Sequence, residues 1–273
     1  MKDLQLIGIQ KDERELAALE DMGYRFGDKG AHTSRTIMLE ELTSLLQVCP
    51  ASSARADYTA AVVERNCLAK HTAATRQLTI QRLGELYGLD PSIPLFRMMR
   101  RLWDMDEKGR PLLALLLAMA RDPLLRVTAP PILAMQPGQE LGRQQITDVL
   151  RLNVGERLNE STLDKVVRNT AASWTQSGHL TGRSRKSRVK IQPTLFVVCY
   201  AVLLGYLLGR RGTDLFETIW AKVLDSTPDE LVFLAMDAKR YGLMDIKQSG
   251  GMIAVSFDNA LTAAERKVAY GAH

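Results

Sequence analysis

The sequence predicts a mainly α protein, a helical bundle with winged-helix-like elements and two short β-hairpins. Apolar residues recur at spacings of three and four through most of the chain, which is the helical period. Capping residues, prolines and glycines separate these stretches, and β-type alternation is confined to two short places in the second half. With 273 residues, 46% of them hydrophobic and 25% charged, the chain has enough apolar side chains for a substantial core.

The first half of the chain is predicted to be a short charged helix followed by a helical bundle. Residues 1–32 combine the charged helix with a glycine-rich stretch, and we expect them to form an N-terminal appendage. Thr72 is a natural N-cap and Gly88 a natural stop, so they predict a well-bounded helix between them. The helices predicted in this half cover residues 12–22, 34–49, 53–66, 73–87, 94–105 and 111–120.

The prolines and glycines of residues 129–142 predict a loop at which the chain divides. We expect a helical domain at 33–142, a winged-helix-like helical domain at 143–258 and a loose tail at 259–273. Within the second domain, the turn Ser249-Gly250-Gly251 separates two alternating stretches, which indicates a hairpin. Helices are predicted there at residues 144–152, 159–177, 195–208, 214–224 and 228–241.

The helix predicted at residues 159–177 has the profile of a recognition helix. Its apolar residues fall on one stripe, which comprises Leu163, Val166, Val167, Thr170 and Trp174. Short polar and basic side chains on the other face could reach phosphates and base edges from a helix held by that stripe. They are Thr162, Lys165, Arg168, Asn169 and Ser173. An ordinary amphipathic surface helix would show the same pattern.

A basic hairpin is predicted directly after this helix. Five basic residues follow Gly182 without an acid among them, namely Arg183, Arg185, Lys186, Arg188 and Lys190. Leu180, Val189 and Ile191 are the apolar anchors of two short strands around this run, so the basic residues would lie at the tip as a wing does on a phosphate backbone. Charge runs are also typical of solvated loops. Joined to the preceding helix, the run predicts nucleic-acid binding by residues 159–190.

Composition and missing motifs limit the other classes of function. The formal charge of +5 and the pI of about 9.1 favour an anionic partner, and three scattered cysteines without a signal-peptide core favour a cytoplasmic location. An uncharged stretch at residues 191–209 is a candidate membrane span, but its polar start leaves about 15 apolar residues, which suit a buried helix better. No histidine has metal-ligand spacing and no phosphate-loop or nucleophile motif occurs. We therefore expect no enzymatic activity, metal or cofactor.

Four stretches together resemble a known protein family. They are VVERNCLAKHTAATRQLTIQRL (62–83), LLALLLAMARDPLL (112–125), STLDKVVRNTAASWTQSGHL (161–180) and AKRYGLMDIKQSGGMIAVSF (238–257). Over residues 33–258 this arrangement is similar to the BrxA family of bacteriophage exclusion (BREX) defence systems. It departs from that family in the first 32 residues, at 129–142 and in the tail. The resemblance implies a cytoplasmic DNA-binding accessory protein of an anti-phage system, acting with other subunits encoded alongside it.

Three hypotheses about function follow. The first is double-stranded DNA binding in phage defence, with RNA as a variant of the nucleic acid. The second is a protein-interaction scaffold, in which the basic wing docks an acidic subunit of the defence complex. The third and least favoured is a membrane protein anchored by residues 191–209.

Overall fold

The computed structural model describes residues 2–8 and 12–270, and it confirms the mainly α class with two short hairpins. The first half forms α1 (Lys2–Leu6), α2 (Glu13–Met22), α3 (Leu39–Val48), α4 (Arg55–Val63), α5 (Ala73–Tyr87), α6 (Pro94–Met105), α7 (Arg110–Arg121), α8 (Pro123–Arg126) and α9 (Ala129–Leu133). The second half forms α10 (Arg143–Val154), α11 (Glu160–Gln176), α12 (Leu195–Leu207), α13 (Ile219–Lys222), α14 (Pro228–Lys239) and α15 (Ala263–Tyr270).

The strands form two separate antiparallel hairpins. In the first, β1 (Leu180–Thr181) pairs with β2 (Ser187–Arg188). In the second, β3 (Asp245–Ser249) pairs with β4 (Met252–Ser256) around the Gly250-Gly251 turn, as the sequence predicts. Short 3-10 turns complete the regular structure at Ala31–Thr33, Gly155–Arg157 and Gly212–Phe216.

Local capping fixes several helix ends where the sequence places them. Thr72 accepts a hydrogen bond from the Thr75 N–H at 3.1 Å, and α5 then runs over the predicted residues 73–87. The helix predicted from residue 34 begins only at Leu39, because Met38 adopts a left-handed backbone with φ of 52°. The helix predicted at 214–224 is instead the 3-10 turn Gly212–Phe216 followed by the four-residue α13.

The core is one continuous cluster of apolar side chains with α7 and α12 at its centre. Every residue from Val197 to Leu207 in α12 is buried, against α6, α7, α13, α14 and α15. The 13 residues of α12 extend about 20 Å, well short of the roughly 30 Å hydrocarbon layer of a bilayer. In the described part of the chain, no helix combines the length and apolarity that crossing a membrane requires.

The segment predicted as an N-terminal appendage contributes to this core. Leu19 and Tyr24 are buried, and the Tyr24 hydroxyl donates a hydrogen bond to the Leu204 carbonyl at 2.7 Å. The Arg25 N–H donates to the Ala120 carbonyl at 3.0 Å. These contacts join residues far apart in the chain, so the sparse apolar pattern of this segment could not indicate them. Part of the predicted appendage, residues 1 and 9–11, lies outside the described residues.

The predicted tail also differs from the structure, because residues 263–270 form α15. A capping box starts this helix: the Glu265 N–H donates to Thr262 Oγ1 at 3.3 Å, and the Thr262 N–H donates to Glu265 Oε2 at 2.8 Å. Arg97 then pairs with the same carboxylate at 2.7 Å and holds α15 on the bundle. Residues 271–273 lie outside the described residues.

Residues 129–142, predicted to be a loop between two domains, contain a short helix and a segment paired with β2. The first part forms α9, and buried side chains on both sides of this stretch belong to the same apolar cluster. The last part pairs with β2 of the first hairpin.

One glycine of the N-terminal segment is required by packing, which gives a test of the fold. A Cβ on Gly30 would lie 2.0 Å from the buried carboxylate Oδ1 of Asp122, whereas a Cβ on Gly84, inside α5, would meet nothing within 4 Å. We expect Gly30→Ala to lower the free energy of unfolding by about 1–3 kcal/mol through overpacking. Gly84→Ala should raise it by about 0.5–1 kcal/mol because alanine favours a helix. Urea denaturation followed by circular dichroism measures both, and equal stability of the two variants would contradict this packing.

Candidate nucleic-acid interface

The basic hairpin belongs to a compact winged-helix-like unit. The 3-10 turn Gly155–Arg157 joins α10 to α11, and the β1–β2 hairpin, called the wing below, follows α11. Residues 138–141, called the bridge segment, pair antiparallel with β2, because the Leu141 N–H donates to the Lys186 carbonyl at 2.7 Å and the Arg188 N–H donates to the Gln139 carbonyl at 2.9 Å. β2 is therefore paired on both sides, with β1 on one side and with the bridge segment on the other. The four residues of the bridge segment, Gly138-Gln139-Glu140-Leu141, follow directly on Pro137 and are too few for their sequence to indicate a strand.

The apolar stripe of α11 lies where the sequence predicts it. All five residues of the stripe are buried, against α7, α8 and α10. The indole N–H of Trp174, at its end, donates a hydrogen bond to Thr128 Oγ1 at 2.8 Å. This stripe fixes which sides of α11 remain free to face a partner.

The polar face predicted for DNA divides into a covered part and an open part. Residues 31–39 cover one side: Asn169 donates from its amide to the His32 carbonyl at 2.9 Å, and Ser173 is fully buried beneath the same segment. The other side stays open, with Lys165 and Arg168 exposed. Thr162 is half-buried in the first turn of α11, where its N–H donates to Asn159 Oδ1 at 2.8 Å.

Ser173 belongs to a buried chain of polar side chains. Its Oγ lies 2.8 Å from His32 Nε2, and His32 Nδ1 lies 2.8 Å from Asp122 Oδ2. Burial raises the pKa of Asp122, but the charge and hydrogen bonds of His32 outweigh that effect, and the pKa is lowered overall. This serine–histidine–aspartate order is that of a hydrolytic triad, yet none of the three side chains is more than 1% exposed.

The hydroxyl of Ser173 is also already engaged by the backbone. It accepts a hydrogen bond from the Ile37 N–H at 3.0 Å and lies 2.8 Å from the Asn169 carbonyl. These contacts occupy the positions that a substrate carbonyl would need. In this arrangement the chain of side chains holds residues 31–37 on α11.

The tip of the wing is open to solvent. Arg183 and Arg185 are exposed, and Lys190 is exposed just beyond β2. Gly182 begins the tip with φ of 100°, and a Cβ there would lie 2.0 Å from the Arg185 carbonyl oxygen, so only glycine fits. Lys186 bends back toward α11, where its Nζ donates to Thr175 Oγ1 at 2.8 Å, and it fixes the distance between wing and helix.

Arg188 differs from the other basic residues of the wing because it points inward. It is 4% exposed and forms an ion pair with Asp225, in the turn after α13. Its Nε donates to the Ile132 carbonyl at 3.1 Å, and Asp225 Oδ2 also accepts from the Ile191 N–H at 3.0 Å. Arg188 therefore anchors β2 to the bundle, a role that its place in a basic run could not indicate.

His179, at the start of the wing, is likewise an internal anchor. Its Nε2 lies 2.7 Å from the Val223 carbonyl, and its ring packs edge-on against Trp174 with centroids 4.9 Å apart. Burial lowers the pKa of His179 to about 4. The ring is therefore neutral at physiological pH and adds no charge to the wing.

Between α11 and the wing lies a groove of about 430 Å³ with a cationic rim. Its floor is apolar. Two acidic residues lie at the groove: Glu140 is part of the lining, and Asp164 forms an ion pair with Arg143. Asp164 Oδ2 also lies 3.3 Å from Arg168 Nε. Arg143, at the start of α10, is a rim residue that the sequence reading missed. The rim thus brings together cations from α10, α11 and the wing, namely Arg143, Arg168, Arg183, Arg185 and Lys186.

The inward position of Arg188 is testable against a neighbour in the same basic run. Arg188→Met leaves the Asp225 carboxylate without its cation, so we expect the free energy of unfolding to fall by about 3–5 kcal/mol. Arg185→Met removes an exposed side chain whose nearest carboxylate, that of Glu140, is 4.0 Å away, and should change it by less than about 0.5 kcal/mol. Urea titration of both variants decides the matter, and similar losses would show that Arg188 is not an anchor.

No protein-family model matches this chain, and a comparison with curated proteins gives no match.

Proposed function

We propose that this protein binds double-stranded DNA through the cationic groove between α11 and the wing. The observation that carries the proposal is the convergence on that groove of basic residues from three elements, α10, α11 and the wing tip. Two further cations, Lys165 and Lys190, are exposed on α11 and beyond β2. A surface of this composition is suited to a phosphate backbone, because arginine forks bind phosphate oxygens in pairs.

The open and covered parts of α11 indicate which of its side chains could contact the duplex. Lys165 and Arg168 are available to a groove of the duplex, whereas Asn169 and Ser173, which could otherwise read base edges, are engaged inside the protein. Backbone contacts then supply most of the affinity, and sequence preference is weak. A duplex in the B form is favoured over RNA, because the deep, narrow major groove of A-form RNA does not admit a helix.

The resemblance to the BrxA family supplies a biological setting for this proposal. In that setting the protein is a cytoplasmic, non-enzymatic accessory protein of a BREX-type defence system and acts with its other subunits. DNA binding by the groove would place those subunits on DNA.

A protein-docking scaffold is the second candidate, and one observation favours it. Three large apolar side chains are exposed on α14 and the turn after it: Phe233 (66%), Met236 (37%) and Tyr241 (54%). A contiguous patch of such side chains is the kind of surface that a protein partner covers. They lie outside the wing, so docking there is compatible with a DNA-bound wing.

Fluorescence anisotropy of a labelled random-sequence duplex, titrated across a salt series, tests the DNA proposal. If about five phosphates are neutralised, the logarithm of the association constant should fall with the logarithm of salt with a slope of about −4 to −5. The variant Arg183→Gln/Arg185→Gln/Lys190→Gln should bind at least about tenfold more weakly, with a slope smaller by about two to three.

The matched control removes the same charge from exposed positions elsewhere, as Arg14→Gln/Arg240→Gln/Lys247→Gln. It should keep nearly the wild-type affinity and slope. Absence of binding by the wild type at low salt, or equal losses in the two variants, would overturn the proposal and favour the scaffold. Stronger competition by duplex RNA than by duplex DNA would reassign the nucleic acid.

A further inference from the structure

A second cationic cleft lies in the N-terminal half and shares no residue with the wing groove. It has a volume of about 660 Å³ and lies between the residues that follow α2 and the helix α5. Tyr24, Phe26 and Ile93 contribute apolar or aromatic walls. Its cations are Arg25, Lys29, Arg82 and Arg121, and its acids are Glu20 and Glu85.

The positive charge of this cleft is only partly neutralised. Arg82 pairs with Glu85 at 2.6 Å. Among the described residues, no carboxylate lies within 4 Å of the charged groups of Arg25, Lys29 or Arg121. Three cations without an acidic partner thus converge on one concave surface.

Arg121 is the most informative of the three because it is 6% exposed. Its guanidinium donates to three backbone carbonyls, those of Gly23 at 2.6 Å, Glu85 at 3.1 Å and Gly84 at 3.3 Å. Burial and the nearby charge of Arg25 lower the pKa of Arg121 to about 9. A buried cation with only neutral partners is costly, and an anion in the cleft would relieve that cost.

We infer that this cleft binds a small phosphate-bearing organic anion of about nucleotide size. Arg25 and Lys29 would contact the phosphate group, Arg121 would add its charge from the floor, and the aromatic walls would contact the organic part. The volume lies within the range of about 300–1,000 Å³ that is usual for small-ligand sites. The inference does not depend on DNA binding by the wing, because the two sites have no residue in common.

Isothermal titration calorimetry of the full chain with ATP, AMP and inorganic phosphate tests the inference. We expect saturable binding of at least one nucleotide, with a dissociation constant on the order of 100 µM or tighter. Arg25→Gln/Lys29→Gln should weaken it at least tenfold. The control Arg183→Gln/Arg185→Gln removes the same charge from the wing and should leave nucleotide binding unchanged.

The outcomes separate this site from the wing groove. Thermal melting of the free variants verifies folding, and Lys29→Gln alone, expected to weaken binding severalfold, replaces the double variant if that one is unstable. No saturable heat with any of the three ligands, or equal weakening by the cleft and wing variants, would overturn the inference. Inorganic phosphate binding as tightly as ATP would also overturn it, since the organic part would then contribute nothing. Nucleotide binding by a protein that fails to bind duplex DNA would sustain this inference and remove only the proposed function.

Discussion

The orientation of α11 depends on the buried polar chain that runs from Asp122 through His32 to Ser173. Asp122 also accepts hydrogen bonds from the N–H groups at the start of α8, at 2.9 Å from Leu124 and 3.3 Å from Leu125. One carboxylate therefore links the end of α7, the start of α8 and the N-terminal segment, and His32 carries that link to α11. Since these groups are fully buried, removing any one of them would leave an unpaired polar atom in the core. Together with the buried apolar stripe, this constraint decides which face α11 presents to solvent.

The wing shows how one basic run serves both structure and surface. Arg188 forms an ion pair with Asp225, and Lys186 donates a hydrogen bond to Thr175. These two contacts set the position of the hairpin. Arg183 and Arg185 are then left exposed at the tip of this anchored hairpin. A phosphate backbone meeting this surface would find the backbone positions of these cations already set by the fold, and the ordering cost of binding would lie in their side chains.

Local chemistry made several elements predictable from the sequence, although the Thr262–Glu265 capping box that starts α15 is a local signal that the prediction of a loose tail overlooked. Caps placed α5, apolar spacing placed the buried stripe of α11, and the Gly250-Gly251 turn placed the second hairpin. Sequence prediction failed where the partner of a side chain lies far along the chain. A serine on a polar helix face or an arginine in a basic run normally faces water. Ser173 is buried because it contacts His32, 141 residues away, and Arg188 is buried because it pairs with Asp225, 37 residues away. The pairing of the bridge segment could not be predicted for the same reason, because its partner Ser187 in β2 lies far along the chain.

Site-specific photo-crosslinking shows directly whether the wing contacts DNA. Two variants carry a photoreactive phenylalanine analogue: one in place of Ser184 at the wing tip, the other in place of the exposed Gln248 in the β3–β4 hairpin. Each variant is irradiated with a labelled duplex. If the wing contacts DNA, a salt-sensitive crosslink should form from position 184 and little from position 248. Equal crosslinking from both positions, or a crosslink from position 248 alone, would contradict contact by the wing.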